Sequence, residues 1–212
     1  MADAPLSYIR FSETSGDSVV DQSGRAGTFT AGVALDEPGL VQCSDGSAVR
    51  FSGAPGGNID FGDILAFQGK TSFSLEAWYV SNDFHGQMIR KLTTSPSSNG
   101  YTLTLDNNRL SFYRYINGST NSASADSTIA GTSSVHHVVG TYDGDNELIC
   151  LYVDGELVEC GGSTASITTD GDFSLGHWQY AGVLDEVAVY GAPLTLPQVR
   201  SHYLVGTGQT GR

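Results

Sequence analysis

The residues best suited to chemistry in this chain lie in its last third. His177-Trp178-Gln179-Tyr180 is a compact run between two strand-like segments. Aromatic rings beside polar groups suit a sugar: a ring stacks on the pyranose face while the polar atoms take its hydroxyls. His177, Trp178 and Tyr180 are therefore the candidate ligand-binding residues, with Trp178 as the stacking platform. Tyr113 and Tyr115 share one strand face and form a second aromatic pair, read as cross-strand packing. His136-His137 has the composition of a metal pair, but adjacent strand residues point to opposite faces, so the two cannot easily bind one ion. Asp185 and Glu186 are adjacent and diverge for the same reason, and Asp143-Gly-Asp145 is a turn. A Gly-x-Ser-x-Gly elbow, a P-loop and a Cys/His pair in a clear context are all missing. The expectation is a protein that is not an enzyme.

The elements that must position these residues are strands. Period-two alternation recurs between turn clusters. It marks residues 6–11, 48–51, 72–80, 87–92, 101–105, 110–115, 135–142, 148–153, 156–159, 173–176 and 183–190. In 72–80, Phe73, Leu75, Ala77 and Tyr79 share one face, and Glu76 and Trp78 the other, with Trp78 read as core. Residues 117–134, rich in Ser, Thr, Ala and Asn, read as a loop or weak edge strand. Asp154-Gly155 is a strong signal for a two-residue hairpin. That hairpin sets Cys150 opposite Glu159, so Cys150 and Cys160 point to opposite faces. With Cys43 they are expected to be free buried thiols. One helix is expected, with Thr195 as N-cap, Gln198 completing a capping box, and Gly206 as its stop. The expected fold class is all-β: a two-sheet antiparallel jelly-roll sandwich with one short C-terminal helix, a single domain over 1–205 and a flexible tail over 206–212.

Bulk properties narrow the partners. The net charge of −13 with only two lysines, Lys70 and Lys91, argues against a phosphate backbone and against anionic membrane surfaces. No apolar run approaches the roughly 20 residues of a membrane span. The start, Met1-Ala-Asp-Ala-Pro5, shows no secretory signal.

Ordered motifs point further. Asp21-Gln-Ser-Gly24 follows a first strand, then come Ala48-Val-Arg-Phe-Ser-Gly53 and Phe73-Ser-Leu-Glu-Ala-Trp78. Val135-His-His-Val138, Leu151-Tyr-Val-Asp-Gly155 and Leu184-Asp-Glu-Val187 complete the series. In this order and spacing the chain resembles the laminin-G-like jelly roll, a branch of the concanavalin A-like lectin/glucanase fold. Val135 stands where the family often has Trp, which is expected to repack one core position. The resemblance implies a possible structural Ca²⁺ held by Asp21 and Asp185. It also supplies a catalytic pattern to look for, Glu-x-Asp-x-x-Glu on one strand face, which is absent here. The functional expectation is a non-catalytic recognition or assembly protein at an extracellular or virion surface. A phage tail or head decoration protein contacting glycan or protein, as a homo-oligomer or on a capsid or tail lattice, fits the resemblance and the lack of a signal. The alternatives are a secreted bacterial carbohydrate-binding module and a degenerate glucanase-like glycosidase.

Overall fold

The computed structural model describes residues 3–42, 46–81, 84–106, 109–126, 133–164 and 166–209, with only the backbone at 124–126. The strands in chain order are β1 (Ser7–Ile9), β2 (Ser18–Val20), β3 (Ala26–Phe29), β4 (Val33–Pro38), β5 (Ser47–Ser52), β6 (Ile59–Asp60), β7 (Phe73–Ser81) and β8 (Gly86–Thr93). They continue as β9 (Asn99–Asp106), β10 (Arg109–Ile116), β11 (Ser119–Asp126), β12 (His136–Asp143), β13 (Leu148–Val153), β14 (Glu156–Gly162), β15 (Phe173–His177) and β16 (Ala181–Tyr190). The helix α1 (Leu196–Gly206) follows. Two antiparallel sheets stack. The first runs β14-β13-β12-β7-β16-β5-β4, with β1 also on β16; the second runs β11-β10-β9-β8-β15-β6-β3-β2. This is the expected jelly-roll sandwich.

The alternation in β7 sorts its side chains as the sequence implies. Phe73, Leu75, Ala77 and Tyr79 enter the core between the sheets. There Phe73 stacks on Phe67 at 4.5 Å and meets Tyr101 at 4.7 Å. Each such buried ring contributes about 1.5–3 kcal/mol. Glu76 and Trp78 face the other way, beneath α1, where Trp78 stacks on Tyr203. The helix begins as expected: the Thr195 amide donates to Gln198 Oε1 at 2.8 Å. It ends one residue later than expected, because Gly206 is its last residue and Thr207 caps it.

Strands β2, β3 and β4 add to the segments that the alternation marks, and of the two readings of 117–134 the edge strand holds at 119–126, paired to β10. Three other expectations need correction. Val135 is 44% exposed just before β12, so it occupies no core position. The tail is not free from 206 onward: the Gly208 and Gln209 amides bond Val205 and Leu204 carbonyls, while 210–212 lie outside the described residues. Finally, Cys150 and Cys160 form a disulfide. The two-residue turn is present, with Asp154 and Gly155 both left-handed, and it pairs Val153 with Glu156. A bulge then leaves Val158 unpaired, since Leu157 faces Tyr152 and Glu159 faces Leu151. That one extra residue shifts the register and sets Cys160 directly opposite Cys150, Cα to Cα 4.1 Å. Cys43 lies outside the described residues.

Candidate functional site

Strand β15 belongs to one sheet and β16 to the other, so residues 178–180 carry the chain across the sandwich edge. The corner is tight. Trp178 and Gln179 both take left-handed backbone, φ 52° and 62°, at a cost of roughly 1–2 kcal/mol each for residues with a β-carbon. The Tyr180 amide closes the turn on His177 O at 3.3 Å. Two glycines make room: Gly86 packs against the Tyr180 backbone and Gly176 against the Phe51 ring, each too closely for a β-carbon. The result is a Trp178 ring that is 50% exposed and 4.9 Å from the His85 ring.

Of the three expected contact residues, Trp178 is outermost and His177 lines the pocket beside it. Tyr180 does not belong with them. It is 0% exposed, its ring meets Phe51 edge-on, and its hydroxyl donates to Val183 O at 3.2 Å. The chain reverses between Trp178 and Tyr180, turning one outward and the other into the core.

Beside His177 lies a polar pocket of about 350 Å³ whose walls include Asn58, Asp60, Arg90, Thr93, Asp170 and Asp172. The pairing order β8-β15-β6 brings these distant stretches together. Arg90 Nη1 donates to His177 Nδ1 at 2.9 Å and to Gln87 Oε1 at 3.3 Å, and Nη2 donates to Leu92 O at 3.0 Å. Burial, and then the Arg90 charge, lower the His177 pKa and keep the ring neutral. Thr93 Oγ1 is buried with no hydrogen-bond partner among the described residues. None of Arg90, Thr93 or the two rim aspartates stands out in the sequence, because no local pattern marks them.

The two residues expected to hold Ca²⁺ lie elsewhere and do not share partners. Asp21 Oδ1 accepts from the Ser23 amide at 2.9 Å, Ser23 Oγ at 2.7 Å and the Arg25 amide at 2.9 Å; Oδ2 accepts from Ser7 Oγ at 2.6 Å. Burial pushes its pKa up, but bonds from Ser7, Ser23 and Arg25 outweigh it and hold the group low. Asp185 accepts from the Leu40 amide at 2.8 Å and the Glu186 amide at 2.8 Å, and burial raises its pKa despite them. Calcium needs six to eight oxygens. These carboxylates face N–H and O–H donors instead, and among the described residues no three His, Cys, Asp or Glu gather to hold a metal. The donor set does not fit the ion.

A second charged region escapes the sequence reading. Under α1, buried Glu76 accepts from His137 Nε2 at 2.6 Å, the Tyr190 hydroxyl at 2.6 Å and His202 Nδ1 at 3.0 Å. His202 Nε2 bonds Asp3 at 2.8 Å. Burial works against the Glu76 charge, yet the two histidines hold its pKa far below the usual range. The bond to Glu76 leads in raising His202 to about 9. Next to it, Glu186 sits on a bulge in β16 at φ 48°, accepts the Tyr8 hydroxyl, and is pushed by burial to about 7. Glu76, Glu186 and His202 line a mostly apolar cavity of about 460 Å³ together with Trp78 and Val205. His136 and His137 diverge as expected: His136 Nδ1 bonds Asp154 at 2.8 Å on the opposite side.

A laminin-G-type family model, described as the Concanavalin A-like lectin/glucanases superfamily, matches residues 52–200. The chain belongs to this laminin-G-like family. The domain is also similar in structure to the botulinum neurotoxin serotype D binding domain, with TM-score 0.72, 15% identity, and coverage of 95% of this chain and 50% of that one. The binding domain of Paraclostridial Mosquitocidal Protein 1 gives TM-score 0.73 at 14% identity, covering 94% and 51%. A serotype D ligand binding domain in complex with N-acetylneuraminic acid gives 0.68 at 13%, covering 95% and 50%. The laminin-G-like chain thus spans about half the length of these proteins, and at such identity the likeness is one of fold. No curated protein matches the sequence.

Proposed function

We propose that this laminin-G-like domain is a non-catalytic recognition module that binds glycan at the Trp178 corner. The observation that carries the reading is the half-exposed Trp178, held on strained backbone and next in the chain to His177, which lines a polar pocket. Strain at a surface corner is typical of a site kept for contact. The names of structurally similar proteins, all binding domains, support the same class of activity. A binding role needs no general acid and nucleophile pair, and the most perturbed carboxylate, Glu76, is committed to His137, Tyr190 and His202.

The Cys150–Cys160 bond supports work in an oxidising setting, outside the cytosol. Among the described residues no helix is long and apolar enough to cross a membrane. A secreted carbohydrate-binding module fits these features. The same domain displayed as a phage tail or head decoration protein would use the same corner, and co-purification with particles distinguishes that setting. The direct test is a glycan array with wild type and Trp178→Ala. The expected result is binding by the wild type, lost in a variant that melts at the same temperature; glycan binding that survives the substitution moves the site elsewhere.

A further inference from the structure

The pocket lined by His177 has an acidic rim on a rigid mount. By alternation Lys91 lies on the core side of β8, where it is fully buried. Its ammonium donates to Asp63 Oδ1 at 2.6 Å and to Gly171 O at 2.5 Å. Gly171 itself lies so close to β8 that a β-carbon there would come within 2.6 Å of the Leu92 carbonyl. Charge and contact together clamp the Asp170-Gly171-Asp172 segment against the strand. Both aspartates are solvent-exposed and line the pocket. Asp60, a third carboxylate in the lining, uses Oδ1 to accept from the Gly62 amide at 2.8 Å.

The cationic side of this pocket is already engaged. Both Nη atoms of Arg90 donate within the protein, to His177, Gln87 and Leu92. His177, which accepts one of those bonds, is neutral. A carboxylate or sulfate entering here would meet three negative side chains and a guanidinium that already gives three Nη–H bonds to the protein. Sugar hydroxyls meet the opposite situation: ionised carboxylates are acceptors only and suit O–H donors, and the buried Thr93 Oγ1 stands without a partner. Unmatched charge is a common means of rejecting a near relative of the right ligand.

We infer that this pocket takes an uncharged pyranose through its hydroxyls and rejects sialylated, uronic and sulfated sugars. The inference rests on the glycan-recognition reading and narrows its ligand. It separates this domain from the similar fold bound to N-acetylneuraminic acid.

The test is a paired array that carries lactose, N-acetyllactosamine, cellobiose and chitobiose beside sialylated, uronic or sulfated counterparts, followed by calorimetry on the best pair. The expected result is binding of the neutral member at least about tenfold tighter than its acidic partner, with the gap shrinking as salt screens the carboxylates. The Asp170→Asn/Asp172→Asn double variant should weaken the neutral sugar and narrow that gap. Both positions are exposed, and circular dichroism with a melting curve verifies the fold; Asp60→Asn provides a second, single-site variant. An acidic partner bound as tightly as the neutral one overturns the inference, as does a gap unchanged in both variants while Trp178→Ala still abolishes binding. If no sugar of either kind binds, the recognition reading falls and this inference falls with it.

Discussion

The face beneath α1 and the corner at Trp178 both collect charged and aromatic residues, but they deploy them differently. Under the helix, Glu76 gathers His137 Nε2, Tyr190 and His202, and His202 reaches Asp3, with His137 Nδ1 buried and without a partner among the described residues. At the corner, the fold spends its internal bonds on the supports, Lys91, Arg90 and Tyr180. It leaves Trp178, Asp170 and Asp172 facing solvent. The largest shifts in ionisation fall on the network under the helix, whereas the corner proposed to bind glycan offers exposed groups. Ranking sites by pKa shift alone would choose the helix face instead.

The comparison breaks most sharply at Glu76. Replacing it with Ala leaves two histidines and a tyrosine without their shared acceptor, and the expected loss is about 3–5 kcal/mol in urea unfolding. If Glu76→Ala folds with wild-type stability, the network is not scaffolding and deserves study as a site. Removing the disulfide with a Cys150→Ser/Cys160→Ser variant should cost about 2–3 kcal/mol, the chain-entropy value for a loop this short, seen as a lower melting temperature.

The helix face should also respond to pH. His202 is raised from 6.5 to about 9, so its contribution is complete below pH 6.5 and lost as pH rises through about 9. Glu186, raised from 4.5 to about 7, has the same sign in the lower window, with stability falling as pH rises from 4.5 through about 7. Denaturation across pH 5–10 should show both declines, with the upper one flattened in His202→Gln and the lower one in Glu186→Gln. At the corner the expectation reverses: Trp178→Ala should alter stability by less than about 0.5 kcal/mol while abolishing glycan binding. The smallest effect concerns Asp21 and Asp185, whose donor-filled surroundings predict no shift in melting temperature with EDTA or added Ca²⁺. A shift lost in Asp21→Ala would restore the metal.

Much of the architecture was readable because sheet faces follow a strict period of two. Phe73, Leu75, Ala77 and Tyr79 declare the face between the sheets, and the same count puts Glu76 and Trp78 on the opposite face, where both are buried under α1. The count fails where the backbone adds a residue. Val158 is an unremarkable valine, yet its bulge decides whether Cys160 meets Cys150. Glu186, likewise, is aimed by a bulge that its neighbours do not announce. Trp178 stood out as an aromatic in a short corner. Tyr180 did too, and only the left-handed pair at 178–179 tells which ring stays outside. The pocket was illegible because its walls come from β6, β8 and the segment at 170–172, which meet only through the strand order.

The covalent rung between Cys150 and Cys160 sits at the border of its sheet, where β14 has a paired neighbour on one side only. Such a border strand is a ready template for foreign strands, and fraying is the first step towards exchange or fibril growth. The rung holds β14 to β13 against that peeling. The margin of the sheet thereby stays closed to foreign strands for as long as the two cysteines stay oxidised.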